Sequence, residues 1–331
     1  LIMKIKNKYY IGTHVMFYEI KVLREMVQSY KNAVDLVENK ENITFELFFN
    51  MSEAFEFIDT EQITKEELLN EFNTICEDLE KNNYPITKII YDNNKPYTIG
   101  SYRRDLNDKG CEDHDYIIWG ETDCLFPKEM FYCIEGVNEY ASSQNINRYC
   151  ITFAMRKMWD DSWSVLEHSK FTSLPFINDL NTTEISSIWS YMNIDKMNQI
   201  NDETEDIDLQ IINHPRFDGS CLVISSDLIQ NGVNIPKACW ACGEDTSLQT
   251  MIKLIMGDSY KQFIIKNILK AHNRNHPHKR EYVKGENYMK GQSVKHKRRT
   301  NKKWNKLHKL AESNLYNIGP NQNKFNKLNQ I

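Results

Sequence analysis

No run of about 18 apolar residues occurs in the chain, and its first residues lack the apolar core of a signal peptide. The expectation is a cytoplasmic protein without a transmembrane segment, in the host cytoplasm if the source is viral. A disulfide framework is lacking too. The eight cysteines are scattered from Cys76 to Cys242 in a chain of 331 residues, too large to need staples, so reduced thiols are expected. No internal repeat is visible, which removes solenoids and propellers. Apolar matter is not lacking: 40% hydrophobic and 11% aromatic residues exclude wholesale disorder.

The net charge of −5 hides an asymmetry. Residues 270 to 309 hold fourteen Lys and Arg against Glu281 and Glu286, a net +12, which leaves the rest of the chain at −17. A basic block on an otherwise acidic chain points to a polyanionic partner. Within it, KHKRRTNKKWNKLHK adds Trp304, a stacking side chain suited to nucleic acid. An anionic membrane or glycan would use the same charges, and a solvated tail that binds nothing is the bland alternative.

Along the chain, Lys8 to Val15 (KYYIGTHV) reads as a first strand with a turn allowed near Gly12-Thr13, and the following segment carries Leu23, Met26, Val27, Tyr30, Val34 and Val37 at helical spacing. A strand followed by an amphipathic helix opens an α/β fold. Thr44 to Met51 and Thr87 to Tyr91 read as further strands, separated by a helix that Thr64 and Glu67 start with a capping box. Pro96 to His114 is polar and irregular around Arg103, Arg104 and Asp105. Tyr116 to Trp119 is a buried-type strand ending in Glu121-Thr122-Asp123, and Pro127 suits the first position of the helix carrying Met130, Ile134, Val137 and Ala141. Arg148 to Met155 is a strand, followed by a Trp-rich segment to Val165 without clear periodicity. Residues 178 to 210 form a polar excursion with one short helix around Ile185 to Met192. Ser220 to Ser226 is the next strand. A helix with Leu248, Met251, Ile252 and Ile255 then begins at Glu244-Asp245 and stops at Gly257, and Tyr260, Phe263, Ile264 and Ile268 predict one more helix.

Two carboxylates one residue apart at the end of a central strand suit a hard divalent cation, which in turn accepts phosphate oxygens. Alone, such a turn is an ordinary solvated loop, and a Glu-Asp pair opening a helix is an ordinary cap. Their order carries more: one pair ends a strand, the other opens a helix about 120 residues later, arginines precede the first and histidines follow the second. That arrangement suits a metal–diphosphate site facing an acceptor with its own base.

With these motifs in order, the chain from about residue 8 to 276 resembles nucleotide-sugar glycosyltransferases of the GT-A fold, nearest in style to the inverting family-two type, possible in a virus or phage given the Asn, Lys and Ile richness. TKIIYDNN resembles the strand whose Asp contacts the nucleotide base, IIWGETDCLFP the strand bearing the metal-binding DxD motif, and CWACGEDTSL the Glu-Asp helix start whose Asp is the catalytic base. The resemblance implies a Rossmann-like mixed central sheet flanked by helices over residues 1–270, a donor half to about 127 and an acceptor half from about 128, with a basic extension over 271–331. It implies a nucleotide-sugar donor, a UDP-sugar first, contacted by Thr13, Asp92, Arg103, Arg104 and Glu121, with Asn50 competing with Asp92 for the base. Mn²⁺ or Mg²⁺ would be held by Asp123, Glu121 and His272, with His276 competing with His272. Asp245 would act as base and Glu244 would orient or substitute. Glu121 stands where the motif has Asp, which places its role between cation, ribose and water. The acceptor implied is a hydroxyl, on a hydroxymethylated DNA base in some viral enzymes, with glycan or protein as alternatives.

Other readings compete. A nucleotidyltransferase on the same fold is weakened by the lack of a Gly-rich loop near the first strand. A non-catalytic nucleic-acid-binding protein would make both acidic clusters caps. Cys239-x-x-Cys242 and His272-x-x-x-His276 have finger-like spacings, but the 29 residues between them exceed the usual ~12–15, and no small βαβ context supports a redox CxxC. Trp159, Trp163 and Trp189 are candidates for stacking on a sugar or base, though core packing is the commoner fate.

Overall fold

Eight consecutive buried residues, Tyr9–Met16 (β1), form the strand on which the sheet is built. The computed structural model describes residues 2–52, 64–93, 95, 97–159, 162–166, 192–212, 219–237, 239, 243–273 and 276. In chain order follow α1 (Ile20–Val34), β2 (Ile43–Asn50), α2 (Lys65–Lys81), β3 (Thr87–Tyr91), α3 (Ile99–Asp113), β4 (Tyr116–Gly120), β5 (Cys124–Leu125) and α4 (Met130–Ser143). Then come β6 (Arg148–Trp159), β7 (Ser162–Leu166), α5 (Ile194–Asp202), β8 (Leu209–Ile211), β9 (Leu222–Ser225), α6 (Ser226–Gln230), α7 (Glu244–Met256) and β10 (Tyr260–His272).

One mixed sheet holds every strand among the described residues, in the order β3-β2-β1-β4-β9-β6-β10-β5, with β7 added to β6 and β8 to β10. The first four strands are parallel, β9 runs antiparallel between β4 and β6, and β10 lies parallel to β6. Strand side chains alternate between two faces. Tyr9, Ile11, Val15, Tyr116 and Ile118 enter a core closed by α1, α2 and α4, whereas Tyr10, Ile117 and Trp119 enter a second core closed by α3, α6 and α7. Each fully buried side chain of this kind contributes about 1.5–3 kcal/mol relative to exposure. The fold is thus α/β, a mixed central sheet flanked by helices, and the sheet runs without interruption across the junction at 127/128.

From β1 the sheet grows through β2 and β3 to one side, then resumes at β4 on the other. This reversal leaves a crevice beyond the carboxyl ends of β1 and β4, the place where open α/β sheets bind ligands. The acidic turn after Gly120 lies there.

Several expectations are met residue for residue: β3 has the expected bounds, Thr64 caps α2 in a complete capping box, and Gly257 ends α7 with φ 53°. Others are corrected. Residues 99–113 form a helix rather than an irregular stretch, because its buried face is built from Gly100, Tyr102, Arg103, Leu106, Asn107 and Gly110, a stripe that apolar periodicity does not register. Gly12 sits inside β1 and makes no turn; a Cβ there would lie 2.2 Å from Leu106 Cδ1, so its smallness admits α3. Pro127 precedes α4 rather than opening it, its carbonyl accepting from Met130 N at 3.0 Å.

The largest correction is Tyr260–His272, which forms a thirteen-residue strand and not a helix. Its pairing with β6 shifts between Ile265 and Leu269, and this irregularity resets the two-residue alternation so that the apolar spacing imitates a helix. The helix of the polar excursion lies at Ile194–Asp202, and Ile185 to Tyr191 fall outside the described residues. So do Trp189, Cys242, and the basic extension apart from 271–273 and 276; of Trp159 and Trp163 only the backbone is described. Every cysteine among the described residues is a free thiol. No helix among them is long and apolar enough to cross a membrane.

Candidate active site

The site begins with what β4 cannot carry. Gly120 lies beside fully buried Thr13, whose Oγ1 would be 2.1 Å from any Cβ added there, so the strand ends against β1 without a side chain. The chain then turns through Glu121, Thr122 and Asp123, closed by Cys124 N donating to the Glu121 carbonyl at 3.0 Å. Thr122 points away and donates to Glu19 Oε2 at 3.2 Å, leaving Glu121 and Asp123 on a common side. β5 pairs antiparallel with the end of β10, setting His272 opposite Cys124, and Asn273 N donates to the Asp123 carbonyl at 2.7 Å. These main-chain bonds bring His272 Nε2 to 2.7 Å from Glu121 Oε2 and 3.5 Å from Asp123 Oδ1.

Glu121, Asp123 and His272 are the one group among the described residues whose ligand atoms could share an ion, all lying within 4.8 Å of one another. Asp123 and His272 are 2% and 3% exposed. Two carboxylates and an imidazole are oxygen and nitrogen donors of the kind Mn²⁺ or Mg²⁺ accepts at such sites. Two carboxylates and an imidazole converging on one point, one carboxylate fully buried, form a donor set that fits a divalent metal.

Arg103 enters from α3, 1% exposed, its guanidinium carbon 4.6 Å from the centre of the Trp119 ring. Nη2 donates to Glu121 Oε1 at 2.7 Å and to the Gly219 carbonyl at 2.9 Å, while Nη1 donates to Glu244 Oε1 at 2.5 Å. Trp119 is fixed in turn by its Nε1, which donates to Asn107 Oδ1 at 2.8 Å. Burial alone would raise the Glu121 carboxyl, but the charges of His272 and Arg103 outweigh it and hold the group well below its ordinary value. Burial pushes Glu244 up to about 7 against the pull of Arg103. Asp245, half-buried beside it, accepts from Thr246 N at 2.7 Å.

The other expected residues spread around this centre. Arg104 lies 3.8 Å from Asp105. His276 sits outside the group and pairs with Glu25 of α1 at 3.4 Å. Asp92 is exposed at the end of β3, the edge strand of the parallel half. Asn50 is buried at the end of β2, where Nδ2 donates to His14 Nε2 at 3.0 Å and to the Tyr97 carbonyl at 2.6 Å. Its Oδ1 accepts from Ser52 N at 2.9 Å, which fixes the amide's orientation.

Sequence reasoning missed two residues here. His14, stacked on Tyr102 with ring centroids 5.3 Å apart, is drawn down to about 4 by burial and is neutral, accepting from Asn50. Lys270, fully buried two residues before His272, donates to the Ser220 carbonyl next to the carbonyl Arg103 holds. The signal for Lys270 was a lysine inside an apolar run; for His14 there was none beyond its place near a strand end.

No family model and no curated protein matches the sequence. Among solved structures the chain is similar to glucosyl-3-phosphoglycerate synthase of Mycobacterium tuberculosis, at a TM-score of 0.38 with 8% identity over 80% of this chain and 71% of that one. A second structure of that synthase, in complex with Mn²⁺, uridine-diphosphate-glucose and glycerol 3-phosphate, is similar at a TM-score of 0.40 with 9% identity over 81% of this chain and 72% of that one.

Proposed function

We propose that the chain is a metal-dependent inverting glycosyltransferase that moves a sugar from a nucleotide-sugar, a UDP-sugar first, to an acceptor hydroxyl. The observation that carries this is the meeting of Glu121, Asp123 and His272 at the crevice of the sheet, tied through Arg103 to the helix that begins with Glu244 and Asp245. Glu121, Asp123 and His272 would hold the cation, which supplies charge neutralisation for a departing diphosphate.

The chain's own groups account for the remainder of the reaction. Asp245 takes the proton of the acceptor hydroxyl as the oxygen forms its bond to the anomeric carbon. The bond from that carbon to the diphosphate oxygen breaks with its electron pair leaving on the diphosphate, and the anomeric configuration inverts. Arg103 has both terminal nitrogens on protein groups, which favours Arg104 of the two arginines as the one for the diphosphate. Asp92 remains the exposed candidate for the nucleotide base, since the Asn50 amide is bound on both sides.

The basic block of residues 270–309 supports a DNA acceptor, a hydroxymethylated base offering the hydroxyl; a glycan or protein hydroxyl is the alternative. The test is a panel of nucleotide-sugars with Mn²⁺, scored by thermal stabilisation and by transfer to hydroxymethylated DNA. A UDP-sugar is expected to raise the melting temperature only with Mn²⁺ present. Stabilisation by none of the panel would overturn the donor reading, and transfer only to glycans or proteins would overturn the DNA acceptor.

A further inference from the structure

Arg103 stands behind Glu121, on the side away from His272. Nη2 takes Glu121 Oε1 at 2.7 Å, so the oxygen turned toward His272, at 2.7 Å, is Oε2. Nη1 takes Glu244 Oε1 at 2.5 Å. The Gly219 carbonyl and the face of Trp119 complete its enclosure. A guanidinium presents its donors in a rigid fork, so fixing one prong fixes the direction of the other. Glu244 is therefore two bonds from a cation-site carboxylate, across 123 positions of sequence. Asp245, the next residue, bonds Thr246 instead.

We propose that Glu244 is a positioning residue for the cation: acting through Arg103, it aims Oε2 of Glu121 into the group formed with Asp123 and His272, and so couples the start of α7 to the metal centre. This rests on the cation reading above. Partners that hold a metal-binding side chain from behind alter metal affinity by about 10–100-fold when removed. Because coupling between sites is reciprocal, a bound cation steadies the helix start that carries Asp245. The Glu-Asp pair then divides its work, the first residue serving the cation and the second the acceptor.

The experiment measures Mn²⁺ affinity of the full chain by electron paramagnetic resonance, with thermal melting as the check on folding. Glu244→Gln is expected to weaken Mn²⁺ binding about tenfold. Asp245→Asn, the corresponding acid-to-amide change one residue away, is expected to leave it nearly unchanged. Arg103→Lys keeps the charge but replaces the fork with a single ammonium, and is expected to weaken binding as Glu244→Gln does; it decides the matter if Glu244→Gln does not fold. Wild-type affinity in Glu244→Gln, or equal weakening by Glu244→Gln and Asp245→Asn, would overturn the proposal. A wild-type chain that binds no Mn²⁺ would instead remove the cation reading on which it stands.

Discussion

Glu135 and Glu121 are both glutamates drawn largely out of water, and their surroundings are opposites. Glu135, on α4, accepts from Lys6 N at 3.0 Å, Asn7 N at 3.0 Å and the Tyr9 hydroxyl at 2.7 Å on one oxygen, and from Asn7 Nδ2 at 3.0 Å on the other. Every neighbour is a donor, and together they strap the start of the chain to α4. Glu121 takes Arg103 on Oε1, and its Oε2 faces the His272 imidazole at 2.7 Å and shares space with a second carboxylate. A carboxylate ringed by donors is finished and holds the fold. One that converges with another acid leaves room for a ligand, which the proposed cation would use.

Two histidines, His14 and His272, repeat the contrast. His14 has its Nε2 occupied by the Asn50 amide within an aromatic cluster, while His272 turns its Nε2 to two acids. Buried charge or polarity by itself therefore does not mark the site, but convergence of like groups does.

The sharpest way to break this comparison is Asp123→Ala. Transfer is expected to fall on the order of a thousandfold, and Mn²⁺ binding to disappear, while thermal stability holds or rises because a repelling carboxylate has gone. A folded variant with wild-type transfer would place Asp123 with Glu135 instead. Asp245→Asn should cost about 10²–10³-fold in transfer with donor binding retained in a titration, and unchanged transfer would remove it as the base. Glu135→Ala tests the other side: it should lose about 2–4 kcal/mol in denaturant unfolding with Mn²⁺ affinity intact, and a loss of metal binding would blur the distinction.

A smaller effect is expected from His14. Its folded value near 4 lies below the ordinary 6.5, so between those pH values the unfolded chain takes up a proton that the folded chain refuses. Stability from His14 is thus complete above pH 6.5 and declines as pH falls toward 4, by about 2–3 kcal/mol. Unfolding of His14→Gln should show a flatter slope over that window; an unchanged slope would mean that His14 is not buried neutral. The slightest change is expected from removing residues 291–331, which should weaken DNA binding and flatten its salt dependence without altering Mn²⁺ affinity. Equal salt slopes for both chains would reduce the basic block to solvated packaging.

Much of this was legible in the sequence because the parallel half follows local rules. TKIIY, the Thr64 capping box and YIIWG each announce themselves by residue type, and the acidic turn was placed correctly at a strand end in the crevice. The remainder was hidden for two physical reasons. In α3 the buried stripe uses Arg103, Asn107 and two glycines, whose burial depends on partners that only the fold supplies. In β10 the register shift erased the alternation that identifies a strand, so the element delivering His272 looked helical. Glu121, whose extra methylene left its role open, stands with Asp123 and His272 because Arg103 fixes its far oxygen, a fact no motif contains.

The short pairing of β5 with β10 also bears on how the chain is made. It closes a loop of about 150 residues between Asp123 and His272, and that closure is late and entropically costly in any chain synthesised from its N-terminus. A nascent chain that has formed β1 to β4 owns the acidic turn but not the imidazole that completes it. The three side chains meet only when β10 arrives, so their meeting becomes a report that this edge of the sheet has closed.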